Sequence, residues 1–293
     1  MNLSVARTVA VVLGAGDVGS AVAVALHRAG FGVVLCEEVD PAWHRRGMSF
    51  TNAWYLGGAE LDGEATMFCA SVRSIPAVLD RHRLIAATTW SWRGVVQALA
   101  ATALVDARMR KRQPSGDLRT AALTTVGLGP GFIAGSNVDV AVETRWGEAL
   151  GTIIGAGPTL PFAAESPAIG GAGDERFVRA PAAGRFSTDR RIAGRVLKGE
   201  ILGAVGARLV SAPLDGVLRG LSARGARVAQ GAKVVEVDPR GEPALCYGIA
   251  ARPRVIAGAV VDALAERRLQ GLAAAAAGRT PDTDAPLGSA PRG

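Results

Sequence analysis

The chain has 293 residues, 49 % of them hydrophobic, and a formal net charge of +7 at pH 7. That length holds one large domain or two modest ones, and that apolar share excludes a wholly disordered or fibrous chain. The basic balance is nearly all arginine, with lysine only at Lys111, Lys198 and Lys233; the arginines are dispersed and no aromatic residues interleave with them, which speaks against nucleic-acid binding. Cys36, Cys69 and Cys246 are widely spaced within apolar runs and read as buried free thiols of a reducing compartment. No charged region followed by an apolar core opens the chain, and Asp17, His27 and Arg28 interrupt its most apolar stretch. The expectation is a cytoplasmic protein with no membrane span.

Residues 9–40 read strand, glycine loop, helix, strand. The run 9–13 is apolar without a break, as suits a strand buried on both faces of a parallel sheet. Gly14-Ala15-Gly16-Asp17-Val18-Gly19 follows with G-x-G-x-x-G spacing. Gly14 permits a tight turn, Gly16 lets a ligand approach the backbone, and Gly19 lets helix and strand pack closely. A helix over 21–29 ends at Gly30, and a second strand over 32–36 ends in Glu37 and Glu38, either of which can hold a ribose hydroxyl. The pattern predicts a Rossmann-like, doubly wound α/β sheet. Asp17 suits the helix dipole but would repel a pyrophosphate, so it points away or the ligand is not an ordinary dinucleotide.

Beyond the Asp40-Pro41 turn, Arg45 and Arg46 lie past the carboxyl end of a strand, where they could hold a phosphate or form a solvated loop. A helix or turn is expected over 51–58, strands over 65–72, 84–89 and 104–106, and helices over 75–82 and 92–101. Asp106 ends a strand on the ligand side and is a candidate functional carboxylate or a cap. The charged, Pro- and Gly-containing segment 109–118 marks a boundary. A strand over 121–128 then runs into Gly127-Leu128-Gly129-Pro130-Gly131-Phe132, which reads as either an anion-binding concavity shaped by Gly129 and Gly131 or a tight corner. Strands follow over 138–144 and 150–154, with Glu143 and Arg145 read as a structural ion pair. Residues 155–173 read as a linker or an irregular wrapping segment. His27, His44 and His82 have no metal-ligand spacing with Cys or acid, and no catalytic motif is visible, so whether the chain catalyses a reaction stays open.

From residue 177 the sequence repeats. Val178-Arg179-Ala180-Pro181 is answered by Val210-Ser211-Ala212-Pro213, and Val196-Leu197-Lys198-Gly199 by Val228-Ala229-Gln230-Gly231. Two intertwined β units with a pseudo-twofold axis result, in a pattern that looks like the biotinyl/lipoyl-type sandwich. The hairpin expected over 201–211 contains Arg208 and no lysine, so no covalent biotin or lipoate is expected there. A strand over 245–249 and an amphipathic helix over 256–269 that packs back on an earlier layer complete the order. The division is a Rossmann-like domain at 1–118, a connecting β segment and linker at 119–175, the sandwich at 176–243, a strand and helix at 244–271, and a disordered tail at 272–293.

Several segments together resemble one family. They are Gly14-Ala15-Gly16-Asp17, Arg45-Arg46 with Ser49-Phe50, Val105-Asp106-Ala107, the 127–132 loop, Glu143-Thr144 with Gly147, Arg179-Ala180-Pro181, the 216–221 strand and Asp238-Pro239-Arg240. In order and spacing they look like the YqeB-type proteins of the selenium-dependent molybdenum hydroxylase system, relatives in role of xanthine dehydrogenase accessory proteins. Asp139 and Glu148 stand where that family has histidines, and Ala250-Ala251-Arg252 where it has Ser-Asp-Lys. The resemblance implies a maturation role: handling or inserting the molybdenum cofactor, or a nucleotide form of it, in a client molybdenum hydroxylase or related metalloenzyme. Gly14, Gly16, Asp17, Gly19, Glu37, Arg45, Arg46, Asp106, Gly129 and Gly131 are the residues expected around that ligand. The rival readings are an NAD(P)-dependent oxidoreductase and a docking protein with no ligand. Homo-oligomerisation is left open.

Overall fold

The structure, a computed structural model, describes residues 8–80, 83–110, 116–163 and 167–277. The unbroken apolar run β1 (Val9–Leu13) leads into α1 (Asp17–Arg28) and β2 (Gly32–Cys36). A short helix α2 (Ala53–Leu56) and the hairpin of β3 (Gly58–Leu61) and β4 (Glu64–Phe68) follow. Then come α3 (Ile75–Asp80), β5 (Ile85–Thr88), α4 (Trp92–Leu99) and β6 (Ala103–Asp106). The expected helix end at 81–82, like Lys111 and most of the basic loop around it, lies outside the described residues.

The chain continues through β7 (Thr124–Leu128), β8 (Ile133–Ala134), β9 (Val140–Val142), β10 (Ile153–Ile154) and β11 (Gly157–Pro158). Nine strands form one sheet in the order β10-β9-β7-β6-β1-β2-β5-β4-β3. Its centre is parallel, and antiparallel pairs lie at both margins. The segment 119–154, expected as a connection, therefore supplies three strands of this sheet. Register aligns the carboxyl ends: Leu13 pairs with Cys36 on one side and Asp106 on the other, and Asp106 pairs with Gly127. The residues following these strands converge on one edge, where open α/β sheets place their ligands.

The glycine loop is shaped by packing. Gly14 has φ +97°, and a Cβ on Gly19 would stand 1.9 Å from the Gly14 carbonyl oxygen. Only glycine lets α1 sit so close to β1.

The second unit comprises β12 (Phe177–Arg179), β13 (Gly184–Ser187), β14 (Arg195–Val196), β15 (Ile201–Val205), β16 (Arg208–Ser211), β17 (Gly216–Leu221), β18 (Arg227–Val228) and β19 (Lys233–Asp238). They form two four-stranded antiparallel sheets, β12-β19-β17-β14 and β16-β15-β13-β18. Exchanging each strand for its counterpart in the repeat (β12 for β16, β13 for β17, β14 for β18, β15 for β19) converts one order into the other. Matching glycines share conformation, with φ +158° at Gly184 and +155° at Gly216, and +84° at Gly199 and +80° at Gly231. Phe186, Leu202, Leu218, Val235 and Val237 fill the space between the sheets.

The strand expected over 245–249 is instead a 3-10 turn, Pro243–Cys246, followed by Gly248 at φ +77°. Pro243 and Gly248 punctuate the apolar run and prevent an extended conformation. The last helix, α5 (Ala251–Ala277), is longer than its apolar stripe suggested. It includes 272–277, expected from the sequence as the start of a disordered tail; 278–293 lie outside the described residues. Within Pro243–Gln270 an 18-residue window reaches a mean hydropathy of 1.3, enough by length and composition alone to cross a membrane. In this fold Ile256, Ala257, Val260, Ala263 and Leu264 bury their faces in the cluster that also holds Val18, Ala21 and Val22 of α1.

We expect Gly19→Ala to cost about 2 kcal/mol or more, because the added methyl overlaps a backbone carbonyl that cannot retreat. Gly94→Ala, in α4 with open space around its Cβ position, should instead stabilise by about 0.5–1 kcal/mol. Urea unfolding of both variants checks the contrast.

Candidate functional site

A cavity of about 940 Å³ opens at the carboxyl edge of the large sheet and extends to the second unit. Its floor is the first turn of α1, Asp17 and Val18. The loops after β2, β6, β7 and β9 contribute Trp43, His44 and Arg45, Met109, Pro130, and Thr144, Arg145 and Trp146. The wrapping segment supplies Pro161 and Phe162, the second unit supplies Arg176, Phe177 and Lys233, and α5 supplies Arg252. Among the described residues, five cationic side chains and four large aromatic ones thus meet a single carboxylate, Asp17.

Beneath this lining lies Glu236 on β19, with no solvent exposure. Arg45 donates to both of its oxygens, from Nε at 2.6 Å and Nη2 at 3.0 Å, and Arg176 Nε donates at 3.0 Å. Arg45 also reaches Asp17, Nη1 to Oδ2 at 3.0 Å. Burial opposes the Glu236 charge, but the Arg45 guanidinium on both of its oxygens holds its carboxyl well below the usual carboxylate range. Burial likewise opposes the Arg45 charge, and Glu236 and Asp17 more than restore it. Burial drives the His44 imidazole below its ordinary value, an effect that Glu236 only partly offsets and Arg45 reinforces. His44 Nε2 stands 3.7 Å from Glu236, too far for a hydrogen bond. It and Trp43 Nε1 are buried nitrogens without a hydrogen-bond partner.

Arg252 occupies the first turn of α5 and donates Nε to the Thr144 carbonyl at 2.7 Å. It makes no ion pair with a carboxylate among the described residues. Glu143 does not pair with Arg145 as the sequence suggested. Its wholly buried carboxylate accepts the backbone N–H groups of Thr144, Arg145 and Leu160, each at 2.7 Å. Three amides at that distance satisfy it better than one mobile guanidinium could, and Arg145 is left exposed.

A smaller cavity of about 220 Å³ adjoins the glycine loop, bounded by Gly14, Gly16, Glu37, Glu38, Trp43 and Arg108 among others. The Gly16 face is not open to a ligand: a Cβ there would lie 2.9 Å from the Trp43 ring. Glu37 turns back and accepts the Ala15 N–H at 3.0 Å, one of the donors a phosphate would use. Asp106 is buried beside Gly14 and accepts the Arg108 N–H at 3.1 Å and its Nε at 2.9 Å, so it caps its own turn. Arg46 is directed elsewhere, to the Leu221 carbonyl at 2.7 Å and Asn52 Oδ1 at 2.8 Å.

In the second glycine loop, the Gly129 N–H donates to Val142 at 3.0 Å, and Gly131 accepts Asn137 Nδ2 at 2.9 Å. Gly129 is required instead by Thr144, whose Oγ1 would meet its Cβ at 2.5 Å. Asp139 accepts the N–H and hydroxyl of Thr125, both at 2.8 Å. Of the residues expected around a ligand, the large cavity therefore gathers Asp17 and Arg45. Trp43, His44, Arg176 and Arg252 join them without having been foreseen as ligand contacts.

No protein-family model matches the chain. Over 264 residues it is 32 % identical to the "Uncharacterized protein YqeB" of Escherichia coli (strain K12). The chain is thus similar to YqeB over most of its own length. The match takes in 90 % of this chain and 48 % of that protein, so the chain spans about half the length of its curated relative. Among solved structures, a succinylglutamatedesuccinylase/aspartoacylase from Rhodobacter sphaeroides is 18 % identical, with 50 % of this chain and 60 % of that one covered at a TM-score of 0.21. The product-bound ectoine utilization protein EutE (DoeB) from Ruegeria pomeroyi is 14 % identical over 79 % of this chain and 85 % of that one, with a TM-score of 0.23. Likenesses that slight bear on neither the fold nor the function of this chain.

The charge cluster sets a pH dependence. Glu236 titrates below its unfolded value, so its pairing contributes fully above about pH 4.3 and is lost as pH falls from there. His44 is held neutral, so protonation of the unfolded chain below about pH 6.5 draws stability the same way. The urea midpoint should therefore fall continuously from pH 7 to pH 4. Glu236→Gln leaves the buried Arg176 without a carboxylate and Arg45 with Asp17 alone, should cost about 3–5 kcal/mol at pH 7, and should flatten the decline below pH 4.3.

Proposed function

We propose that this chain is an accessory protein that holds an anionic, ring-bearing cofactor, the molybdenum cofactor or a nucleotide form of it, for a client molybdenum hydroxylase. The observation that carries this reading is the lining of the large cavity. Trp146 and Phe162 offer flat apolar faces beside Arg45, Arg145 and Arg252, while Arg176 and Lys233 lie over the Phe177 ring. Molybdopterin joins a flat heteroaromatic pterin to a phosphate, and it asks for stacking at one end and cations at the other. The volume of about 940 Å³ falls within the ordinary range for small-molecule sites.

A dinucleotide laid along the glycine loop finds less support, because the Trp43 ring lies on Gly16 and Glu37 takes the Ala15 N–H. The same reading takes the parallel core as Rossmann-like and the two-sheet unit as a biotinyl/lipoyl-like sandwich serving as a docking module. The strand exchange between its sheets supports that assignment. The β15–β16 hairpin carries Arg208 and no lysine, which supports a non-carrier role for it.

The test is the pterin content of protein purified from a host that makes molybdenum cofactor, read as fluorescence after denaturation and oxidation. We expect near-stoichiometric pterin in the wild type, and binding about tenfold weaker in Trp146→Ala, which removes one stacking face at the cavity mouth. Protein that carries no pterin, and takes up none when offered molybdopterin in a calorimeter, would overturn the proposal.

A further inference from the structure

We infer that the inner end of the large cavity is a subsite for a phosphomonoester dianion, with Arg252 as its principal charge and Trp43 and His44 as its neutral nitrogen contacts. The inference deepens the cofactor reading and rests on it for the ring, but its charge argument is separate. Around the cavity the ionic groups cancel in order. Arg45 and Arg176 are matched by Asp17 and Glu236. Lys233 lies 3.3 Å from Asp174. Arg252 and Arg145 remain, neither with a carboxylate partner among the described residues. Among the described residues Glu143 is the other acid that acts on Arg252, and its oxygens are taken by three backbone N–H groups, so this wall stays net positive and suits an anion such as a phosphomonoester, which carries about −2 near neutral pH.

Arg252 is placed against its helix. It lies in the first turn of α5, a turn with no acidic residue, where the dipole favours anions and disfavours cations. Its charge is half-buried, and its one hydrogen bond goes to a neutral carbonyl. Within the fold only the fields of Asp17 and Glu143 favour a cation there, and neither makes an ion pair with it; an incoming anion would supply that pair.

Two further nitrogens wait for a partner. Trp43 Nε1 and His44 Nε2 are buried without hydrogen bonds, their rings are 5.5 Å apart, and both side chains line the cavity. The His44 side chain is only 7 % exposed. Both atoms lie just under the cavity wall, His44 Nε2 on the Glu236 side at 3.7 Å; buried polar atoms are almost always satisfied, and a ligand oxygen would satisfy these after a small turn of the two rings. Asp17 does not defeat the site: its Oδ2 accepts Arg45 and its Oδ1 accepts the Val18 N–H.

The experiment is calorimetric titration of the whole chain with inorganic phosphate, with GMP as a ring-bearing phosphomonoester, and with guanosine as its phosphate-free counterpart. We expect GMP to bind more tightly than either of the others. Arg252→Gln should weaken GMP and phosphate by at least about tenfold and leave guanosine unchanged. Arg252→Lys should fall between, and Trp43→Phe, which keeps a ring but removes the N–H, should weaken both phosphate-bearing probes. If Arg252→Gln lowers the melting temperature, the lysine and phenylalanine variants decide the matter. Phosphate binding as tight as that of GMP would assign the site to free phosphate and overturn its attachment to a ring. Wild-type protein that binds no GMP, an Arg252→Gln variant that binds it normally, or an equal loss for guanosine would overturn the subsite. Pterin retained undiminished in Arg252→Gln would remove the subsite and leave the cofactor reading. Phosphate recognition through Arg252 in a protein that never binds pterin would do the reverse.

Discussion

The Glu236 carboxylate is wholly buried, and both of its oxygens accept hydrogen bonds from Arg45, with Arg176 adding a third donor. A carboxylate taken out of water is tolerated only when its partners are complete and well placed. That requirement fixes more than one side chain. Glu236 belongs to β19 of the second unit, Arg45 to the loop after β2 of the large sheet, and Arg176 to the turn before β12. Through Arg45 the network continues to Asp17 in the first turn of α1. Four stretches of chain are thus held in register by one charge cluster.

That cluster also decides what the cavity can do. With Arg45 and Arg176 committed to carboxylates, they shape the wall without supplying excess charge, and the unmatched cations are Arg145 and Arg252. The glycine loop has meanwhile taken on a structural task. Gly19 admits α1 against β1, Gly16 admits the Trp43 ring, and Glu37 closes on the Ala15 N–H. The Asp17 carboxylate, out of place beside a pyrophosphate, is in place beside Arg45 at a helix N-terminus. The centre of recognition moves from the glycine loop to the space between the sheet edge and the second unit.

The parallel core was readable because residues 9–13 and 32–36 are unbroken apolar runs bracketing a glycine loop and a helix. The intertwined β unit was readable because its repeat keeps both its prolines and its left-handed glycines in phase. Arg45 and Arg46 could not be told apart: they are neighbours of the same type, yet one enters the ion cluster and the other ties down Leu221 and Asn52. Glu236 gave no local signal, since its partner Arg45 lies 191 residues away and a lone acid in a strand reads as a solvated face. Arg252 did carry a signal, a basic residue opening a helix without an acid, but only the fold places it at the cavity. The 245–249 segment failed as a strand because hydrophobicity was weighed over Pro243 and Gly248.

A crystal structure of the protein with GMP or a molybdopterin species bound tests the central claim most directly, because it reads where the ring and the anion sit. The account predicts the ring against Trp146 in the large cavity and the phosphate on Arg252, with Trp43 still lying over Gly16. A ligand stretched along the glycine loop, with Trp43 displaced and Glu37 released to a ribose, would contradict it.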